Sequence, residues 1–233
     1  MTIQFRPAEK SKARLRIALV APSGYGKTFS ALRLATGLGG RIAILDTENS
    51  SADLYADKFK YDVLTMNPPY DPSKYLMAIE AAEQGGYQTL IIDSLSHAWS
   101  GSGGLLDKQG VLADKGGNSW AAWRTITPEQ NQLMERILSA NLHIIATMRT
   151  KTDWVVEGGK PVKVGLAPIQ REGVEYEFDL VFDLTKDHRG SASKDRTGLF
   201  DNQVAEMNEE IGIKLNLWLS LNTKTLSEPE IIK

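Results

Sequence analysis

The chain has 233 residues, 42% of them hydrophobic and 24% charged, no cysteine, and a formal net charge of -2. That length and apolar content suffice for a packed core and argue against a disordered chain, while the missing cysteines exclude disulfides, thiolate metal sites and thiol catalysis. The near-neutral charge gives no bulk attraction to nucleic acid, so a partner of that kind has to be met by locally basic segments.

No run of about 18 apolar residues occurs, and the start "MTIQFRPAEK" lacks the apolar stretch of a signal peptide, so neither membrane insertion nor export is expected. A cytoplasmic protein is the expectation, which the missing cysteines also fit. His97, His143 and His188 show no ligand spacing. Any metal is therefore expected to be magnesium held by oxygen.

Taken in order, "RLRIALV" (14–20) is a short apolar run that leads into "APSGYGKTFS" (21–30), and "KTFSALRLATGLGG" then carries Leu32, Ala35 and Leu38 at helical spacing before a double glycine. This reads strand, loop, helix. The loop departs from the usual G-x-x-x-x-G-K-[ST] phosphate motif, because alanine stands first. Alanine 21 is tolerated if its φ is negative, since only left-handed backbone demands glycine. Gly24 and Gly26 supply backbone freedom, Lys27 a cation, and Thr28 a hydroxyl for magnesium, so residues Ser23, Gly24, Tyr25, Gly26, Lys27, Thr28 and Phe29 are the expected triphosphate cradle.

"RIAILD" (41–46) and "TLIIDS" (89–94) are two further buried-strand patterns, each ending on an aspartate. At the carboxyl edge of a parallel strand, Asp93 can hold the magnesium shell beside the loop. Capping a helix before Ser94 is the alternative role. The next residue is serine, where many motor ATPases carry a catalytic glutamate, so the base has to come from elsewhere. Glu48 in "LDTENSS" lies just beyond the preceding strand, where a carboxylate can orient the attacking water; a plain surface glutamate is the other reading.

Between these strands, 72–84 has helical composition and stops at Gly85-Gly86; another helix is expected near 128–140, with Pro128 in its first turn, feeding the strand "LHIIAT" (142–147). Strands alternating with helices predict an α/β fold with a mainly parallel central sheet flanked by helices. Beyond Thr147, "WVVEGGKPVKV" (154–164) reads as a hairpin or mobile loop about Gly158-Gly159, "EFDLVFDL" as a strand, "GSASKDRTG" as a polar, basic turn, and "NEEIGIKLNLWLSL" as an amphipathic helix. No repeat or linker interrupts 14–221, which is expected to be one ATPase core between an arm at 1–13 and a tail at 222–233.

With these motifs in hand, the chain resembles the RecA recombinase core, a P-loop NTPase. "AILDTE" is similar to the segment that bears that family's catalytic glutamate, which implies that role for Glu48. Seven positions further, Tyr55 matches a tyrosine that stacks on adenine. "LIIDSLSHAW" is similar to the family's metal-aspartate strand. Among core-only members, "REGVEYEFDLVFDL" and "SKDRTGLF" look most like the phage-encoded RecA-like proteins of the Sak single-strand annealing group and the related phage AAA-domain ATPases.

The resemblance implies a protein that binds ATP with magnesium, hydrolyses it slowly, and forms a homo-oligomer, filament or ring, on single-stranded DNA to promote annealing or pairing, with a single-strand-binding protein as a further partner. It would act in the cytoplasm, of the host cell if phage-encoded. It also implies two DNA loops, 101–118 and the segment carrying Arg149, Lys151, Trp154, Lys160 and Lys163, where cations track phosphates and an aromatic stacks on a base. A solvated hairpin is the alternative for the latter. Trp120 and Trp123 are expected to be core or packing residues near the next helix. Lys194 and Arg196 match a pair of cations that reach the neighbour's ATP in trans. Phe5 to Ala8 has the F-x-x-A form by which RadA-type recombinases add a segment to an adjacent subunit.

Two departures bear on coupling. The family's Asn-Gln pair, whose glutamine senses the γ-phosphate, is replaced by Thr147 and Met148, and methionine cannot make that hydrogen bond. The DNA loops are also only partly basic. The competing classes are an ATPase that regulates or assembles a protein partner, and a small-molecule kinase. The kinase is disfavoured because no arginine-rich lid follows Asp93.

Overall fold

In a computed structural model, the structure describes residues 5, 8–116, 118–157 and 160–221, without the side chains of 11 and 153–164. Part of the F-x-x-A segment and the whole of 222–233 lie outside the described residues.

In chain order the elements are β1 (Arg16–Ala21), α1 (Lys27–Leu38), β2 (Ile42–Asp46), β3 (Asp62–Thr65), α2 (Pro72–Gln84), β4 (Thr89–Asp93), α3 (Ser96–Ser100), α4 (Leu105–Gly116) and α5 (Ser119–Ser139). There follow β5 (His143–Glu157), β6 (Lys160–Pro168), β7 (Leu180–Leu184), β8 (Arg189–Asp195), β9 (Val204–Glu206) and α6 (Glu209–Ser220). The sheet order is β3-β2-β4-β5-β1-β7-β8-β9, with β6 paired to the outer part of β5. Strands β3 through β7 in that order run parallel to their neighbours, and β8 and β9 add an antiparallel margin. This is the α/β architecture with a mainly parallel, helix-flanked sheet that the alternating pattern predicts.

The central strands are apolar throughout because both faces are covered. Along β1, Ala18 and Val20 join the core beneath α2 and α5, while Ile17, Leu19 and Ala21 join the core beneath α1 and α6. The same alternation runs through β5, where Ile144, Ala146 and Met148 face one layer and Ile145 the other. Met148 is thus spent on packing.

Several local expectations are corrected. Helix α5 begins at Ser119, capped by the Asn118 side chain, and Pro128 lies inside it instead of in its first turn. Much of the expected glycine-rich loop at 101–118 is α4. The polar segment read as a turn is strand β8, whereas the hairpin expected about Gly158-Gly159 is present as the antiparallel pair β5–β6. Trp120 is 85% exposed and not in the core, whereas Trp123 stacks on Trp99 at 5.7 Å between ring centroids.

At the end of the sheet opposite the phosphate loop, the buried Arg16 guanidinium donates to the carbonyls of Leu138, Ala140 and Leu142 at 2.8, 2.6 and 3.0 Å. It thereby takes up carbonyls in and just beyond the last turn of α5, which has no glycine cap. Burial pulls Arg16 down to about 10. Among the described residues no helix is long and apolar enough to cross a membrane.

Candidate active site

Ala21 closes β1, buried and outside the left-handed region, so the missing first glycine leaves the loop's course intact. Gly24 and Gly26 do take positive φ, +80° and +73°, and Gly26 caps α1. A β-carbon on Gly24 would meet nothing within 4 Å, which leaves the loop open to a ligand; one on Gly26 would stand 2.1 Å from Nδ1 of His188. Lys27 is buried, and its ammonium donates to the carbonyls of Ala21 and Pro22 at 3.0 and 2.8 Å. Burial lowers its pKa, against the raising effect of Asp93 and Glu48.

Asp93 ends β4 at the same level as Asp46 on β2. It is 1% exposed and accepts hydrogen bonds from the hydroxyls of Thr28 and Thr147, each at 2.5 Å. Burial raises its pKa, opposed by those two bonds. Such a carboxylate is stabilised by a cation more than by water. Among the described residues no group of three or more histidine, cysteine or acidic side chains gathers to hold a metal alone. The Thr28 and Asp93 oxygens therefore fit magnesium, a hard ion that completes its shell with phosphate oxygens and water.

Asp46 shapes the loop after β2. Its carboxylate accepts from the backbone of Glu48 at 2.6 Å and of Ala52 at 2.9 Å, while Asn49 and Ser50 turn through φ of +57° and +62°. This points Glu48 into the cleft, where it meets Arg149 in a two-point ion pair: Nε to Oε1 at 2.9 Å, and Nη2 to Oε2. Arg149 reaches that place because β5 runs parallel to β1 and sets it level with Ala21. The resulting cleft, about 200 Å³, is lined by Ser23, Lys27, Thr28, Glu48, Asp93 and Arg149, with Tyr55 at its margin.

Beside the loop, Phe29 lies 5.6 Å from Tyr55 and 5.4 Å from Phe59, ring centroid to ring centroid. His188 is 6.5 Å from Phe29, ring centroid to ring centroid, and its Nδ1 is 3.3 Å from the Tyr25 carbonyl. An aromatic shelf therefore borders the phosphate loop. Neither His188 nor His97 was legible as a site residue. His97 stacks on Tyr70 at 4.7 Å and meets the Thr47 hydroxyl at 2.7 Å, tying α3 to the loop that carries Glu48. Its place four positions after Asp93, just past the end of that strand, was the available signal.

Arg149, read as a DNA contact, stands in the cleft. Lys151 is exposed on the hairpin. Trp154 is level with Lys163 across the hairpin, with Lys160 near its tip, but these three side chains lie outside the described residues. Lys194 pairs with Val181 of β7, which is level with Ala18, so it lies toward the start of β1 and away from its own chain's phosphate loop. Its ammonium donates to the Tyr176 carbonyl, and Arg196 pairs with Asp179 at 3.3 Å.

A family model described as an AAA domain matches residues 13–206. No curated protein matches the chain.

Proposed function

The chain belongs to the AAA-domain family and is a nucleotide-binding P-loop NTPase; from that premise we propose a slowly hydrolysing ATPase that assembles on single-stranded DNA and promotes annealing or pairing, as the phage RecA-like annealing proteins do. The observation that carries the ATPase assignment is the convergence of Lys27, Thr28, Glu48 and Asp93 on one cleft. Lys27 and the loop N-H groups bind the phosphates, and Thr28 and Asp93 would hold magnesium. The chemistry such an ion would supply is neutralisation of phosphate charge. Glu48 accepts a hydrogen bond from the attacking water and takes its proton as the water oxygen bonds to the γ-phosphorus. The bond to the bridging oxygen breaks and ADP leaves. Tyr55 and Phe29 supply the surface for the base.

For DNA, the supporting feature is the β5–β6 hairpin, which continues from the cleft past the sheet and carries Lys151 and Trp154. For assembly, Lys194 and Arg196 act on the nucleotide of the next copy, consistent with their distance from the cleft of their own chain. The arm supplies a second contact. Phe5 is fully exposed, and edge strand β3 borders an apolar groove of about 460 Å³ lined by Leu64, Met66, Met77, Ala78 and Ala81, suited to an aromatic side chain from a neighbour.

One observation favours the alternative of a protein partner: Trp120, Leu106, Val111 and Leu112 are exposed on α4 and the start of α5. Titration of the full chain with a single-stranded oligonucleotide, with and without a non-cleavable ATP analogue and at two salt concentrations, separates the two. Nucleotide-dependent, salt-sensitive binding is expected. Its absence overturns the DNA reading and leaves the protein partner.

A further inference from the structure

The geometry points to Arg149 as a residue that changes partner during the ATP cycle: it holds Glu48 while the cleft lacks a triphosphate, and it turns to the γ-phosphate when one is bound. The inference rests on the reading of the cleft as a triphosphate site and adds a regulatory role to it.

Both oxygens of Glu48 are engaged by the guanidinium in the ion pair. A carboxylate gripped in this way is poorly placed to orient water, so holding Arg149 and activating water compete for the same two oxygens. The planar fork that grips a carboxylate fits a phosphate equally well. Incoming γ-phosphate oxygens therefore compete with Glu48 for the same donors. Lys27 is parked in a comparable way, on the carbonyls of Ala21 and Pro22. Both cations of the cleft thus have temporary acceptors that an anion can replace.

The backbone of Arg149 is fixed. Its N-H donates to the Ser96 hydroxyl at 2.9 Å, its carbonyl accepts from Ile169 at 2.7 Å, and its strand register sets it beside Ala21. The side chain is 36% exposed, so the guanidinium can swing while the main chain stays. Met148, its neighbour, is locked in the core and offers no donor. Arg149 is also where β5 leaves the parallel sheet and becomes the hairpin, so a change at its side chain occurs at the base of that hairpin.

The test is a binding cycle on the full chain. Dissociation constants for a non-cleavable triphosphate analogue and for ADP, both with magnesium, are measured by calorimetry for the wild type, Glu48→Gln, Arg149→Met and the double variant. Glu48→Gln should tighten the analogue by about tenfold and Arg149→Met should weaken it by about as much, in each case leaving ADP unchanged. In the Arg149→Met background, Glu48→Gln should tighten nothing.

Tightening that persists in the double variant overturns the exchange, because it reports only repulsion between Glu48 and the phosphate. Equal shifts for ADP and the analogue overturn it as well. If the wild type binds neither nucleotide, the triphosphate reading itself falls; binding with additive variants removes the exchange alone. Arg149→Lys, which keeps the charge without the fork, supports the same cycle if Arg149→Met does not fold.

Discussion

Gly37 of α1 and Gly212 of α6 face one another at bare backbone: a β-carbon on Gly37 would stand 2.9 Å from the Gly212 α-carbon and 2.0 Å from the Glu209 carbonyl oxygen, and one on Gly212 would stand 2.2 Å from the Leu34 carbonyl oxygen. The helix that carries the phosphate loop is therefore braced by α6 at a distance only glycine permits. Gly37→Ala should lower unfolding free energy by about 1–3 kcal/mol, since the crossing has to open. Gly110→Ala is the control. A β-carbon there meets nothing within 4 Å, so the helical gain should leave stability unchanged or raised by up to about 1 kcal/mol. Urea unfolding of the two variants checks both signs.

Separating binding from chemistry needs two variants of the cleft. Lys27→Ala should abolish nucleotide binding, while Glu48→Gln should retain it and lose hydrolysis by about 10²–10⁴-fold. Phosphate release and nucleotide affinity, measured on the same preparations, decide the matter. Hydrolysis at the wild-type rate in Glu48→Gln would take the glutamate out of the base role.

A mixing experiment addresses the cations on β8. Lys194→Ala and Lys27→Ala should each be nearly inactive alone. In a mixture, a Lys194→Ala copy still binds ATP and a Lys27→Ala copy still offers Lys194 to it. With equal amounts and random assembly, roughly a quarter of the sites become competent. Phosphate release no greater than the sum of the separate samples would remove Lys194 from the trans role.

His143 governs a pH dependence remote from the chemistry. Its Nδ1 accepts from the Leu15 backbone at 3.0 Å, and burial among Arg14 and Arg16 pulls it down to about 4. The unfolded chain binds this proton near pH 6.5 and the folded chain does not, so stability is full above that value and falls as pH drops toward 4. The loss is about 3 kcal/mol across the window. His143→Asn keeps an acceptor without the titration. The stability difference between wild type and variant should therefore change by that amount between pH 6.5 and 4, and a constant difference would contradict it.

What the sequence disclosed follows from how local each signal was. Helix α2 was legible at both ends because its signals are contiguous: Pro72 follows an aspartate that caps Ser73 at 2.9 Å, and Gly85-Gly86 closes it. The first half of α5 was hidden by Pro128, which reads as a beginning although Ala122, Ile126, Leu133 and Ile137 continue one buried stripe through it. Strand β8 is polar and small, and its conformation comes from pairing with β7 more than from its own composition. The phosphate loop was fully local. By contrast, Glu48 and Arg149 are 101 positions apart, and only the parallel register of β2 with β4 and of β4 with β5 brings them together.

The phosphate loop lies at the carboxyl end of β1 and the Lys194–Arg196 pair toward the level of its amino end, which gives each molecule a front and a back. Copies joined so that the back of one serves the front of the next cannot be related by a two-fold axis. Every member of such a row faces the same way, and the row carries an arrow. A polynucleotide laid along it would meet an identical, oriented surface at each step, so its chemical direction would be read by the geometry of the row before any base is recognised.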